Sequence, residues 1–109
     1  MCIRDRFEAA VEADRLAIGV DSDQYLTADE DQQKCILTSM LKRVDIAVYN
    51  AIRDFVDGSL EGGIVNNDLK TGGIDYSTLG GQVDEKDKID DYKQDIIDGK
   101  IKVPDKPKA

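Results

Sequence analysis

Five apolar or glycine residues, Leu16-Ala17-Ile18-Gly19-Val20, run straight into a carboxylate, Asp21, and then into Ser22-Asp23-Gln24. An unbroken apolar run this short suits a strand covered on both faces, as in a parallel sheet with helices on either side. Open α/β sheets hold their ligands in the crevice at the carboxyl ends of such strands. Asp21 is therefore expected at a strand end, its backbone fixed and its side chain free to meet a polar ligand.

The composition narrows the chemistry available there. With 109 residues the chain has room for one domain. It carries 15 Lys and Arg against 23 Asp and Glu, a net charge of -8, which argues against nucleic acid or an anionic lipid surface as a partner. There is no His and no Trp. Imidazole bases, Ser-His-Asp and Cys-His nucleophilic systems and most zinc sites therefore drop out together. Cys2 and Cys35 are too few for a disulfide framework and too far apart for a metal knuckle. No apolar run approaches the ~20 residues of a membrane span, and no signal-peptide core follows Met1.

Residues 1–6 share no periodicity with the residues after them and read as a non-native leader. The folded portion is expected over 7–104, with 105–109 as a flexible tail. Phe7, Ala10, Val11 and Asp14 recur at helical spacing, so residues 7–15 read as the end of an amphipathic helix running directly into the strand. That junction suggests a chain that has lost its front. Residues 25–34 are polar and aperiodic, a loop with one helical turn. Cys35–Ser39 reads as a second short strand handing over to a helix N-cap. From Met40 to Asp57 the spacing of Leu41, Val44, Val48, Ala51, Ile52, Phe55 and Val56 predicts a helix with one wide apolar face, ended by Gly58. In the glycine-rich stretch after that helix, residues 63–66 and 73–76 are strand candidates. Residues 84–98 read as a surface helix with Ile89, Tyr92 and Ile96 on one stripe. The alternation points to an α/β fold with a mostly parallel sheet and flanking helices.

Three readings compete for the D-x-D of Asp21 and Asp23. One carboxylate caps a turn while the other is solvated; or they accept hydrogen bonds from a neutral polyol, since an ionised carboxylate takes two adjacent hydroxyls; or they hold Mg²⁺ for phosphoryl transfer. A calcium-binding EF-hand loop is excluded, because Leu26 stands where its glycine is required and Gln32 where its last carboxylate belongs. Lys42 and Arg43 fall in the first turn of the predicted helix, where cations oppose the macrodipole. A charge placed at a cost suggests a task, although an ion pair with Asp45 is the simpler account of Arg43. Lys42 is thereby expected to lean over the crevice that Asp21 enters. The paired glycines match no phosphate-binding loop.

The stretches Ala17-Ile18-Gly19-Val20-Asp21-Ser22-Asp23-Gln24, Leu37-Thr38-Ser39-Met40-Leu41-Lys42-Arg43-Val44-Asp45 and Asp95-Ile96-Ile97-Asp98-Gly99-Lys100-Ile101-Lys102-Val103-Pro104 resemble the basic membrane protein family, the substrate-binding lipoproteins of ABC importers for nucleosides. The resemblance covers residues 7–104. It implies a type I periplasmic-binding-protein fold, in which two α/β lobes joined by crossing strands close on ligand. This chain would be its C-terminal third, and residues 62–81 would hold the strands that cross between lobes. By the same resemblance Asp21 accepts from the ribose hydroxyls and Lys42 donates to the sugar; Asp23, the second carboxylate of the D-x-D, is a further candidate ligand-binding residue. The aromatic residues that sandwich the base lie in the missing two-thirds, which the fragment needs in order to bind. Expected partners are a nucleoside, an ABC permease and its ATPase. The expected location is periplasmic or at the cell surface, lipid-anchored in the full-length protein.

The function implied is ligand capture and delivery without catalysis, and no cofactor is expected. The alternative is a haloacid-dehalogenase-like, Mg-dependent phosphohydrolase using Asp21 and Asp23, with Thr38 or Ser39 and Lys70 in the remaining roles.

Overall fold

The computed structural model describes residues 3–107; Met1, Cys2, Lys108 and Ala109, the ends of the expected leader and tail, lie outside the described residues. The elements in chain order are α1 (Ile3–Glu12), β1 (Ala17–Asp21), a 3₁₀ turn (Gln24–Leu26), α2 (Glu30–Gln33), β2 (Ile36–Lys42), α3 (Val44–Val56), β3 (Ile74–Tyr76) and α4 (Lys86–Ile97). The three strands form one sheet in the order β1-β2-β3, the first pair parallel and the second antiparallel.

The core sits at the start of the parallel pair. Phe7 of α1, Cys35 and Ile36 are buried together, and Ala10, Ala17 and Ala28 pack around them. Cys35 O accepts from Ala17 N at 2.8 Å, which sets β1 beside β2 from its first residue. Deeper along β2, Thr38 Oγ1 donates to Ser77 O at 2.6 Å and Ser77 N donates to Ser39 O at 2.9 Å, carrying the antiparallel pairing one residue past β3. α4 returns to the sheet through polar contacts: Lys93 pairs with Asp75 at 3.0 Å, and Tyr76 Oη donates to Asp90 at 2.7 Å.

Four features depart from the sequence expectations. The first helix reaches back to Ile3 and so includes four residues of the expected leader, because elongating a helix that Phe7 already anchors in the core costs little per residue. The second strand runs to Lys42 instead of stopping at Ser39. Ladder bonds from β1 on one side and β3 on the other outweigh the helical spacing of Met40 and Leu41, and Ser39 is a fully buried strand residue instead of an N-cap. Residues 63–66 form no strand, and Ile64 is 95% exposed. An extended segment without a ladder partner has no backbone reason to be a strand. Finally, β1 is covered on one face only, with Ile18 and Val20 exposed.

α3 is a helix as predicted, starting later than the apolar spacing suggests, at Val44 instead of Met40. Gly58, at φ 75, closes it with a Schellman pair: Gly58 N donates to Phe55 O and Ser59 N to Asp54 O. Its apolar face buries no residue; Phe55 is 73% exposed and Val56 75%.

Candidate functional site

β1 and β2 end side by side. Val20 lies opposite Met40 and Asp21 opposite Leu41; Lys42, next in β2, lies opposite Ile74 of β3. β1 itself ends in a γ-turn: Ser22 N donates to Val20 O at 3.2 Å, and Asp21, the last residue of the strand and the centre of the turn, has φ 82. A residue other than glycine in this region costs about 1–3 kcal/mol and persists only where its surroundings over-determine it. In an unbroken strand Asp21 and Val20 point to opposite faces. Here both line one cavity of about 420 Å³, together with Met40, Lys42, Ala47, Asn67 and Ile74.

The cavity walls are mostly apolar, with few polar groups set into them, the usual make-up of a small-molecule site. Asp21 and Lys42 are exposed, and neither side chain has a hydrogen-bond or ion-pair partner among the described residues. Arg43 also borders the cavity, but its guanidinium is committed: Nε and Nη2 donate to Asp45 at 3.0 and 2.8 Å. That hydrogen bond holds the Asp45 carboxyl below the usual carboxylate range. The ion-pair reading of Arg43 is therefore the one found. Lys42 does not stand in a helical first turn, so the macrodipole argument for it falls, while its place at the cavity is as expected.

The two carboxylates of the D-x-D part company. Asp23 N-caps the 3₁₀ turn, its Oδ1 accepting from Tyr25 N at 3.3 Å, and its Oδ2 accepts from the Ser77 hydroxyl. This is the bland reading of the motif for one of its members. Among the described residues no group of three or more Cys, Asp or Glu side chains could hold a metal ion. Thr38 and Ser39, cast as hydroxyls in the phosphohydrolase alternative, hold the sheet together: Thr38 bonds Ser77 O, and Ser39 Oγ accepts from Gln24 N at 3.2 Å. Nothing supports that alternative.

Sequence reasoning missed Asn67, Gly73 and Ile74 as parts of the cavity wall. They come from the glycine-rich stretch, and only the antiparallel docking of β3 against the end of β2 brings them there. It also passed over Gln24, although that residue closes the G-V-D-x-D-Q stretch: its Oε1 accepts from Val20 N at 3.1 Å and so bridges the base of the turn.

The sheet thus carries a ligand-sized hollow at the carboxyl end of its parallel pair. A solved structure described as ABC transporter system solute-binding proteins from Aeropyrum pernix K1 superposes with a TM-score of 0.62 at 30% identity, covering 93% of this chain and 38% of that one. The family model for PnrA-like ABC transporter substrate-binding proteins, Bmp, matches residues 7–107, and the chain belongs to that family. Among its relatives, the ABC transporter nucleoside-binding protein BmpA of Lactococcus lactis subsp. cremoris is 39% identical over 102 residues, covering 87% of this chain and 29% of the relative. The CD4+ T-cell-stimulating antigen of Listeria monocytogenes is 38% identical over 98 residues, with 83% and 28% covered. An uncharacterised lipoprotein of Pyrococcus abyssi is 46% identical over 66 residues, covering 61% of this chain and 15% of its own. The chain thus spans less than a third of the length of these curated relatives. The family and fold implied by the G-V-D-x-D-Q and T-S-x-x-K-R-V-D stretches are both found. Among the described residues no helix is long and apolar enough to cross a membrane.

Proposed function

We propose that this chain supplies the sugar-binding part of a nucleoside site in the substrate-binding protein of an ABC importer. One observation carries the reading: two opposite charges without protein partners among the described residues, Asp21 and Lys42, stand at adjacent strand ends and line one mostly apolar cavity. A ribose is neutral and rich in hydroxyls. Asp21 accepts from two of them, Lys42 donates to a ring or hydroxyl oxygen, and the opposite charges lower the cost of burying either one. Asp23, with both oxygens engaged, fixes the turn and sits outside direct contact with the sugar. The name of the Lactococcus relative supports the choice of a nucleoside over other polyols.

On this reading the base is held by sequence outside this chain, in keeping with the share of its relatives that the chain spans. The partners are a permease and an ATPase, and the site works outside the cytoplasmic membrane on a lipid-anchored protein, as the lipoprotein relative suggests. The protein binds and releases its ligand unchanged. The test is calorimetric titration of inosine and adenosine into a full-length protein carrying this chain, with a phosphatase assay in Mg²⁺ alongside. Binding without turnover is expected. Replacing Asp21 or Lys42 by Ala weakens binding by ~1–3 kcal/mol each, the worth of a charged hydrogen bond. Turnover that disappears in Asp21→Asn, or affinity untouched in both Ala variants, overturns the proposal.

A further inference from the structure

Sugar binding needs the Asp21 side chain to face the cavity, and its own backbone does not favour that. An acidic residue at φ 82 has lower-energy conformations within easy reach, and in an extended one its carboxylate points to the other face of the sheet. We propose that Gln24 is the positioning residue that prevents this: its side-chain amide locks the γ-turn and so aims Asp21 at the sugar. The inference rests on the reading of Asp21 as the acceptor for a ribose hydroxyl.

Gln24 grips the turn at two points. Its Oε1 takes the hydrogen bond of Val20 N, the residue where the γ-turn begins, at 3.1 Å. Its own backbone N donates at 3.2 Å to the hydroxyl of Ser39, which is fully buried in β2. The amide therefore ties the turn to itself while the backbone ties it to the sheet. Gly19 makes room for the arrangement. A Cβ added there would lie 2.8 Å from Gln24 Oε1 and would collide with Ser39 Oγ, so the amide fills the space a side chain would need. The far end of the turn is latched separately by Asp23, which accepts from Tyr25 N and Ser77 Oγ. With both ends of the turn held, Asp21 is left in the left-handed region. Take away the Oε1 acceptor and the end next to Val20 is released.

The experiment compares Gln24→Met, which keeps the length and removes the acceptor, with Gln24→Glu, which keeps an acceptor oxygen. In the labelled chain, the HN–Hα coupling and intraresidue NOE of Asp21 report the sign of its φ. The positive-φ signature is expected to vanish in the Met variant and persist in the Glu variant. In a full-length protein carrying the chain, inosine affinity is expected to fall roughly tenfold with Met, the worth of one hydrogen bond, and to return with Glu. A Met variant that keeps both the signature and the affinity overturns the inference, and so does a lost signature without lost affinity. If Gln24→Met unfolds the chain, adding Asp21→Gly, which removes the strain, restores folding; failure to do so also counts against the lock. A parent protein that binds no nucleoside defeats the functional proposal alone, since the Asp21 signature still decides the part played by Gln24.

Discussion

The turn after β1 and the helix α3 border the same cavity, and they are built in opposite ways. Between Val20 and Tyr25 the turn is tied at several points: to itself, to buried Ser39 in β2, and to Ser77 beyond β3. The turn keeps one strained residue and leaves one carboxylate unpaired, at its centre. α3 has no strain, an ordered C-terminal cap and a full apolar face, and buries nothing. The turn is held by distant partners and the helix by its own sequence. Local signals suffice to make a helix; aiming a carboxylate takes contacts from β2 and from the residue just past β3.

Substitutions test this contrast. The largest effect is expected where the core begins: Ile36→Ala, at a side chain 1% exposed, costs about 2–5 kcal/mol, while Ile52→Ala on α3 costs under about 0.5 kcal/mol beyond its propensity. Denaturant titration of the two variants reads the difference, and equal losses would show that α3 is packed after all. Next comes Gly19→Ala, which forces a Cβ into Ser39 and Gln24 and costs about 1–3 kcal/mol by overpacking. Asp21→Gly runs the other way: it removes the left-handed penalty and stabilises the chain by about 1 kcal/mol, while the proposed sugar affinity falls by the same ~1–3 kcal/mol as in the Ala variant. A destabilised Asp21→Gly variant would mean the turn carries no strain.

The smallest effect is electrostatic. Burial works against the charge on Asp75, but the Lys93 ammonium, the Tyr76 N–H and nearby Arg43 outweigh it and hold its carboxyl below the usual range. A carboxyl whose pKa is lower in the folded state stabilises fully above its unfolded value. That contribution is lost as pH falls through the folded value. The pair is partly exposed, so its worth is about 1 kcal/mol or less. Lys93→Gln is expected to flatten the acid limb of a stability profile by that amount and to leave α3 unaffected.

Much of this was legible in the residues. Leu16 to Asp21 announced a strand ending at a crevice, Gly58 marked the end of α3, and Asp21 and Lys42 both line one cavity there. What could not be read was whatever depends on pairing across the sheet. Met40, Leu41 and Lys42 have helical spacing yet serve as strand because β1 and β3 flank them. Ile64 and Val65 have strand character but lack a partner. The Asp21 γ-turn left no mark in its own residue type, since its cause lies in Gly19, Gln24 and Ser39. The partition between Asp21 and Asp23 was likewise set by Ser77, far along the chain.

The thiol of Cys35 has a practical consequence. It lies in the core against Phe7 and Ile36, 7% exposed, with Sγ 3.0 Å from Gln32 O, and burial pushes its pKa up. An alkylating reagent reaches such a sulfur only when the surrounding structure opens. With Cys2 changed to Ser, the rate of labelling becomes a clock for core opening, and whatever binds the folded form and not the opened one slows that clock by mass action.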